Sequence, residues 1–265
     1  MLERGVHNSD ASVGSQPVAV LRNGPFVWVT LSRPQKANAL DKASIRALLA
    51  ALDDAEADPA RRAIILKGAG PNFCGGADLS DLLDGGSAGV RETMELLRTL
   101  LLRFERSRLA VVEAVRGAAR AGGLEIALAC DAVVATESAT FGDAHLANAL
   151  LPAGGATARL ARTVGWQRAK WLILTAAAIS AETARAWGIV IDVCGDGDLD
   201  AAAERMALSL GRADPETFGQ AKGLLAALPE RTFNESLEAE IATLEAHAET
   251  AAFRDGVSAF LNRKR

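Results

Sequence analysis

The 265-residue chain contains no tyrosine, only three cysteines and no excess of positive charge. Without tyrosine, no phenol group is available as a proton donor or as a donor to an oxyanion. The cysteines, at positions 74, 130 and 194, are odd in number and widely spaced, which argues against a disulfide framework and a zinc site. The net charge of −4 argues against a nucleic-acid-binding surface, which normally shows as a basic excess. We expect neither a bound metal nor a bound cofactor.

Long apolar segments are also absent. The longest uncharged apolar run covers residues 171–179, which is far too short to cross a bilayer. Residues 1–16 lack the apolar core of a signal peptide and are expected to form a flexible tail. With 49% hydrophobic and 23% charged residues, the composition is that of an ordinary globular protein with a sizeable core. We therefore expect a soluble, cytoplasmic protein that does not bind membranes.

Strand and helix signals alternate through the first half of the chain. Apolar, β-branched runs predict strands over residues 18–21, 26–31, 63–66, 109–115 and 132–135. Apolar residues at helical spacing predict helices after Asp41, over 91–106 and over 122–129. The pair Asn23-Gly24 predicts a hairpin between the first two strands. This repeated succession of strand and helix favours an α/β fold with a largely parallel sheet.

The second half of the chain is almost entirely helical in pattern. Helices are predicted over residues 157–164, 167–175, 181–187, 198–211, 215–227 and 233–253, with one strand-like run at 189–193. We divide the chain into the tail, a core over residues 17–200 and a helical region over residues 201–265. That helical region is apolar enough that we expect it to pack on the core or on a neighbouring subunit.

Two glycine turns each connect a strand-like run to the start of a helix. They are Cys74-Gly75-Gly76-Ala77-Asp78 and Ala121-Gly122-Gly123-Leu124-Glu125. Backbone N–H groups at a helix start have no partner within the helix, so two such turns can aim donors at one oxygen. Glu125 follows Gly122 by three residues, which places a carboxylate near that oxygen. The pattern predicts chemistry on a carbonyl compound.

Other catalytic motifs do not fit the chain. Gly70 and Gly75 have the spacing of a phosphate-binding loop, but the lysine and hydroxyl residue that this loop needs do not follow. No Gly-x-Gly-x-x-Gly sequence opens a strand–helix unit, and no Gly-x-Ser-x-Gly sequence is present. The phosphate-loop, dinucleotide and serine-hydrolase interpretations are therefore disfavoured.

Several stretches together make the chain resemble the crotonase family, also called the enoyl-CoA hydratase/isomerase family, over almost its whole length. The stretches are 31–40 (LSRPQKANAL), 73–79 (FCGGADL), 122–131 (GGLEIALACD), 141–142 (FG), 151–157 (LPAGGAT), 159–160 (RL) and 253–261 (FRDGVSAFL). The resemblance implies the α/β crotonase (ClpP/crotonase-like) fold of repeated ββα units with a helical C-terminal extension. It also implies trimers or pairs of trimers formed through that extension, an acyl-CoA thioester substrate and a place in fatty acid metabolism.

The resemblance also implies roles for individual residues. The backbone N–H groups of Ala77 and Gly122 would hold the thioester oxygen, and Glu125 would be one of two catalytic glutamates. Whether the helix start or burial controls the pKa of Glu125 is open at this point, because the two act in opposite directions. The other implied substrate- or CoA-binding residues are Lys36, Ala37, Asn38, Gly76, Asp78, Leu79 and Gly123. Residues 82–87 are expected to form a mobile loop that lines the acyl pocket.

The second glutamate is missing, and His145 occupies its position in the resemblance. Histidine is competent in general acid–base catalysis near neutral pH, and Asp143 is a lower-ranked candidate for the same role. We predict an enoyl-CoA hydratase in which Glu125 and His145 add water to a 2-enoyl-CoA through an enolate. The alternatives are double-bond isomerisation, thioester hydrolysis, decarboxylation, or a catalytically silent CoA-binding protein.

Overall fold

The computed structural model describes residues 16–263, so the predicted tail, apart from Gln16, lies outside the described residues. Within that range, nine strands form two sheets. They are β1 (Val18–Asn23), β2 (Phe26–Leu31), β3 (Ala63–Gly68), β4 (Ala110–Val115), β5 (Ala118–Arg120), β6 (Ala132–Thr136), β7 (Thr140–Gly142), β8 (Ile179–Ser180) and β9 (Asp192–Cys194). The main sheet has the order β1-β2-β3-β4-β6-β9, and the small sheet has the order β5-β7-β8.

The main sheet is parallel except for its first pair. β1 and β2 form the predicted antiparallel hairpin, with Gly24 at φ +54 in the turn, and β2, β3, β4, β6 and β9 then pair in parallel. Every residue of β4 and β6 is buried, as expected for strands that are covered on both faces. The prediction of a largely parallel sheet is thus confirmed.

The small sheet was not predicted, because its strands have only two or three residues and show no periodicity. It nevertheless positions the second glycine turn. β5 ends at Arg120, and the next N–H, that of Ala121, donates to the carbonyl of Gly142 at the end of β7, at 3.0 Å. The turn therefore leaves the small sheet at a fixed point.

Ten α-helices lie within the described residues. They are α1 (Lys42–Ala57), α2 (Leu79–Arg106), α3 (Gly122–Ala127), α4 (Ala156–Val164), α5 (Trp166–Thr175), α6 (Ala181–Ala186), α7 (Leu199–Leu210), α8 (Pro215–Ala227), α9 (Phe233–Ala248) and α10 (Ala251–Arg263). As predicted, Asp41 caps α1, and its Oδ1 accepts the N–H of Ser44 at 2.7 Å.

The helix predicted over residues 91–106 is longer than expected. α2 begins at Leu79, where Asp78 Oδ1 accepts the Ser80 N–H at 3.2 Å, and it is broken at Gly86, which has φ +56 and ψ −158. The expected loop over residues 82–87 is therefore wrong, because these residues belong to this broken helix. Gly85, Gly86 and Ser87 are poor helix formers, which is why local pattern alone indicated a loop.

The single helix predicted over residues 233–253 is also wrong, because the structure has two helices there. α9 ends at Ala248, and the chain turns through Thr250 before α10 begins. The Thr250 N–H donates to the His247 carbonyl at 2.9 Å, and its hydroxyl accepts the Phe253 N–H at 3.2 Å. A threonine that both closes one helix and caps the next is a local helix-stop signal that apolar periodicity does not reveal.

Apolar cores lie on both faces of the main sheet. One face packs against α1, α2 and α3. The other face is covered by α7, whose Leu199 and Ala203 pack with Trp28, Ile65 and Val112. The expected boundary between residues 200 and 201 lies within α7, which belongs with the core.

Lys222 ties the first of the following helices, α8, to the core. Its ammonium is buried and donates to Asp131 Oδ2 at 2.7 Å, to the Phe104 carbonyl at 2.7 Å and to the Leu109 carbonyl at 3.2 Å. No helix in residues 16–263 is long and apolar enough to cross a membrane.

Candidate active site

The first glycine turn runs beside residues 37–40 in a short parallel pairing. The Leu40 N–H donates to the Gly76 carbonyl at 2.8 Å, and the Leu40 carbonyl accepts the Asp78 N–H at 2.9 Å. Because Leu40 bonds to the residues on both sides of Ala77, the N–H of Ala77 points away from Leu40. Ala77 lines a cavity of about 730 Å³. Its N–H is therefore available to a ligand in that cavity.

The second glycine turn carries backbone strain at its entry. Ala121 has φ +45 and ψ −113, a conformation that costs non-glycine residues on the order of 1–3 kcal/mol and is concentrated at functional sites. The next residue, Gly122, begins α3, so its N–H has no acceptor within the helix. Gly122 lines the same cavity as Ala77.

The two turns touch each other through their glycines. A Cβ on Gly76 would lie 2.8 Å from the Cβ of Ala121, and a Cβ on Gly123 would lie 2.5 Å from the Cys74 carbonyl oxygen. Side chains at these positions would push the turns apart. The structure therefore brings the two predicted donors, Ala77 and Gly122, to one cavity wall. That both N–H groups bind one oxygen stays a prediction.

Glu125 is buried in the first turn of α3 and lines the cavity. Its Oε1 accepts the N–H groups of Gly154, at 2.8 Å, and of Ala156, at 3.2 Å. A side chain at Gly154 would collide with this carboxylate, so the glycine is needed for the contact. Burial raises the pKa of Glu125, while His145 and the two N–H groups oppose the rise without cancelling it.

His145 lies across from Glu125 on the cavity wall, close enough that each group shifts the pKa of the other. Its Nδ1 is 3.1 Å from Oδ2 of Asp143, an ion pair when the imidazole is protonated. Burial lowers the pKa of His145, but Asp143 and Glu125 raise it by more, so the net pKa is raised. Asp143 is fully buried and does not line the cavity, and it raises the pKa of the His145 imidazole.

The expected CoA-binding residues have clear structural partners. Asp78 accepts hydrogen bonds from Arg33 at 2.7 Å and from Lys36 at 3.1 Å, and these cations hold its pKa well below the usual range although burial acts to raise it. Asn38 donates to the carbonyls of Ala69, at 2.9 Å, and Asn72, at 2.8 Å. Both of its amide protons are therefore used within the protein.

Of the expected substrate- or CoA-binding residues, only Leu79 lines the cavity. The others, which do not line it, are Lys36, Ala37, Asn38, Gly76, Asp78 and Gly123. The Lys36 side chain is 48% exposed and reaches solvent beside Asp78. Contact of these residues with CoA stays a prediction.

Sequence reasoning placed residues 82–87 at the acyl pocket, and Leu82 and Leu83 do line the cavity, but it missed the rest of the wall. Beyond Leu79, one side consists of apolar residues of α2, and the facing side comes from the segment before α4; the wall residues are Leu82, Leu83, Val90, Met94, Leu97, Leu150, Leu151 and Ala153. Among the described lining residues, only Glu125 and His145 carry titratable side chains. The apolar spacing of α2 contained this signal, but only the fold shows which face it presents to the cavity.

Metal chemistry finds no support in the described part of the chain. No group of three or more His, Cys, Asp or Glu side chains is arranged there to hold a metal ion. Cys74 is buried, and burial raises the pKa of its thiol to about 12, so it is a poor ligand and a poor nucleophile.

Known proteins resemble this chain over nearly its full length. The family model "Enoyl-CoA hydratase/isomerase" matches residues 22–265. A Rhodobacter capsulatus protein named "probable enoyl-CoA hydratase" is 36% identical over 89% of this chain and 91% of its own length. The 2,3-dehydroadipyl-CoA hydratase of Escherichia coli is 31% identical over 92% of this chain and 95% of its own.

Solved structures agree with the sequence matches. The crystal structure of enoyl-CoA hydratase from Bacillus anthracis superposes with a TM-score of 0.86 at 31% identity, and it covers 94% of this chain and 97% of its own. The expected crotonase fold and hydratase-like function are thereby confirmed. The chain is a member of the enoyl-CoA hydratase/isomerase family and has the function of an enoyl-CoA hydratase-like enzyme.

Proposed function

We propose that the protein adds water to a 2-enoyl-CoA with Ala77 and Gly122 as oxyanion donors and with Glu125 and His145 as the proton-transfer pair. The observation that carries this proposal is that all four residues line one cavity. Fixed backbone dipoles stabilise negative charge that develops on the thioester oxygen, because they need no reorganisation during the reaction. The apolar cavity wall strengthens this stabilisation by excluding water.

In the proposed reaction, the Glu125 carboxylate accepts a proton from water as the water oxygen bonds to the β-carbon. The π electrons move onto the thioester oxygen, which becomes an enolate held by the two N–H groups. Protonated His145 then donates its proton to the α-carbon, and the thioester is restored. Transfer of the proton from Glu125 to His145 resets the site. The raised pKa of His145 supports its role as the donor.

Double-bond isomerisation is the second candidate function. It needs only one group that moves a proton between two carbons, and Glu125 is the only carboxylate among the described residues that line the cavity. Hydration, in contrast, depends on His145 in place of a second carboxylate. The products of the two reactions differ, because hydration gives a 3-hydroxyacyl thioester, whereas isomerisation moves the double bond and adds no water.

The acyl group of the substrate is proposed to be an unsubstituted hydrocarbon chain. Beyond Glu125 and His145 the wall is apolar except for Asn148, and Leu79 and Leu83 are exposed there. Burial of a methylene group stabilises a complex by about 0.8 kcal/mol. Such a wall favours longer chains, and beyond His145 it offers no cation to a terminal carboxylate.

The assembly is proposed to be a homotrimer or a dimer of trimers. α9 and α10 keep several large apolar side chains exposed, including Phe233, Ile241, Leu244 and Leu261. Large exposed apolar surfaces mark interaction sites. A cytoplasmic location and a role in fatty acid metabolism stay predictions.

Loss of the conjugated thioester absorbance of crotonyl-CoA tests the reaction. We expect Glu125→Gln to lower kcat by about 100- to 10,000-fold with acyl-CoA binding retained. Glu137→Gln, in an exposed turn, is the matched control. Wild-type protein that binds acyl-CoA but turns over no member of a substrate panel would support the silent CoA-binding alternative. An active Glu125→Gln variant would contradict the assignment.

A further inference from the structure

The loop that carries the anchors of Glu125 is held from behind by an arginine. Nη1 of Arg159, in α4, donates to the Gly154 carbonyl at 2.7 Å. The N–H of the same residue, Gly154, donates to Oε1 of Glu125 at 2.8 Å. Gly154 is thus fixed on its carbonyl side by Arg159 and offers its N–H side to Glu125.

Arg159 is itself fixed by Glu105 in the last turn of α2. Nε and Nη2 of the guanidinium donate to the two carboxylate oxygens at 2.7 and 3.0 Å, a bidentate pairing that sets both distance and orientation. Both side chains are largely shielded from solvent, at 16% and 26% exposure. A side chain on Gly155, which has φ +99, would collide with the guanidinium, so this glycine leaves the space that Arg159 occupies.

Neither Arg159 nor Glu105 lines the cavity, so neither reaches a ligand there directly. We propose that Arg159, oriented by Glu105, is a positioning residue that acts through Gly154 to fix Glu125 for proton transfer. This inference rests on the proposed role of Glu125 as the base. A displacement of about 1 Å in a reacting group can cost about 100-fold in rate, so a positioning residue outside the cavity can affect turnover.

The groups around Glu125 determine how removal of Arg159 would change the pKa of Glu125. His145 and Asp143 face it from the segment after β7, and the Gly154 and Ala156 N–H groups face it from the start of α4. The charge of Arg159 is paired with that of Glu105, so removal of Arg159 acts chiefly through geometry. Poorly placed N–H groups no longer oppose the effect of burial, and the pKa of Glu125 then rises.

Steady-state kinetics on crotonyl-CoA across pH provide the first test. Arg159→Met is expected to lower kcat by about 100-fold with little change in KM, and to move the acidic limb of the kcat profile to higher pH. Arg159→Lys should recover part of kcat, because a lysine can reach an acceptor but cannot pair bidentately. Arg162→Met is the matched control, since Arg162 is exposed one turn further along α4. A folded Arg159→Met variant with the wild-type kcat and acidic limb would overturn the inference.

Carboxyl NMR titration of isotope-labelled glutamate provides a test that does not need turnover. The Glu125 signal is assigned by its loss in Glu125→Gln. A raised Glu125 pKa in Arg159→Met would support the positioning role of Arg159 even if the wild-type protein fails to hydrate crotonyl-CoA. In that case only the proposed function fails. An unchanged Glu125 pKa would overturn the positioning role of Arg159. If Arg159→Met does not fold, Glu105→Gln replaces it, with a smaller shift in the same direction expected and no shift counting against the inference.

Discussion

The two halves of the cavity are built in different ways. One half, the donor wall (residues 75–77 and 121–123), depends on backbone geometry and on contacts that only glycine allows. The other half, the proton-transfer pair (Glu125 and His145), depends on burial, neighbouring charges and anchors far along the chain. The donor wall thus depends on residues that are close together in sequence, whereas the proton-transfer pair depends on contacts between distant segments.

Among substitutions that leave Glu125 in place, the largest expected effect comes from separating the two turns of the donor wall. Gly76→Ala places a methyl group against the Ala121 Cβ, at 2.8 Å, in a residue with φ +108. The donors then no longer converge, and we expect kcat/KM to fall by about 100- to 1,000-fold. Gly165→Ala is the control, because Gly165 also has positive φ but a Cβ there would have no other atom within 4 Å. Near-wild-type kinetics for Gly76→Ala would show that the wall does not depend on this contact.

A smaller effect is expected from removing the charge beside His145. Asp143→Asn removes the nearest charge that raises the pKa of His145, so that pKa falls. His145 donates a proton only in its charged form, so activity is lost at lower pH in the variant than in wild type. We expect kcat at alkaline pH to drop by about tenfold and kcat at acidic pH to change little. An alkaline limb that stays in place would argue that His145 is not the donor.

A still smaller effect is expected where the cavity meets the acyl chain. Calorimetry should show affinity for saturated acyl-CoAs rising by about fourfold per added methylene until the cavity is filled. Leu83→Gln should weaken octanoyl-CoA binding severalfold and butyryl-CoA binding little. Leu174→Gln is the matched control, because Leu174 is an exposed leucine of α5 outside the cavity. Affinity independent of chain length would contradict the apolar assignment.

The smallest effect on kcat is expected from substitution of Glu113, which instead changes the stability of the protein. This carboxyl is buried in β4, its oxygens have no hydrogen-bond partner in the described residues, and burial raises its pKa well above the usual range. Because the folded pKa exceeds the unfolded pKa, the protein loses stability as pH rises above about 4.3 toward the folded pKa. Glu113→Leu should remove that loss and raise the free energy of unfolding at pH 8 by about 1–3 kcal/mol.

Chemical denaturation at pH 5 and pH 8 measures the effect of Glu113→Leu, with the exposed Glu137→Leu as control. Unchanged kcat would show that the donor wall tolerates a change in the strand below it. A loss of stability at pH 8 would instead mean that Glu113 has a favourable partner in the folded protein.

The donor wall could be predicted from sequence because its signals are local. A strand, two adjacent glycines and a helix start lie within a few residues, and Glu125 follows at a fixed offset. The parallel sheet could be predicted for the same reason. The start of α2 could not, because the capping by Asp78 competes with the poor helix propensity of Gly85 and Gly86.

The surroundings of the proton-transfer pair could not be predicted, because they depend on contacts between distant segments. Glu125 is anchored 29 residues further along the chain, at Gly154. Asp143 was expected as an alternative to His145, but its complete burial makes it a neighbour that tunes the imidazole. The amide of Asn38 closes a loop within the protein, and its contact with CoA stays a prediction. In each case tertiary packing, which no local pattern contains, decides the role.

The break in α2 at Gly86 divides that helix into two segments with different duties. The short segment before it carries Leu79 and Leu83, which line the cavity, while the long segment after it carries Glu105 in its last turn, where it pairs with Arg159. Under the proposed function, changes in the short segment are expected to alter which thioesters are accepted while the Glu105–Arg159 pair in the long segment stays in place.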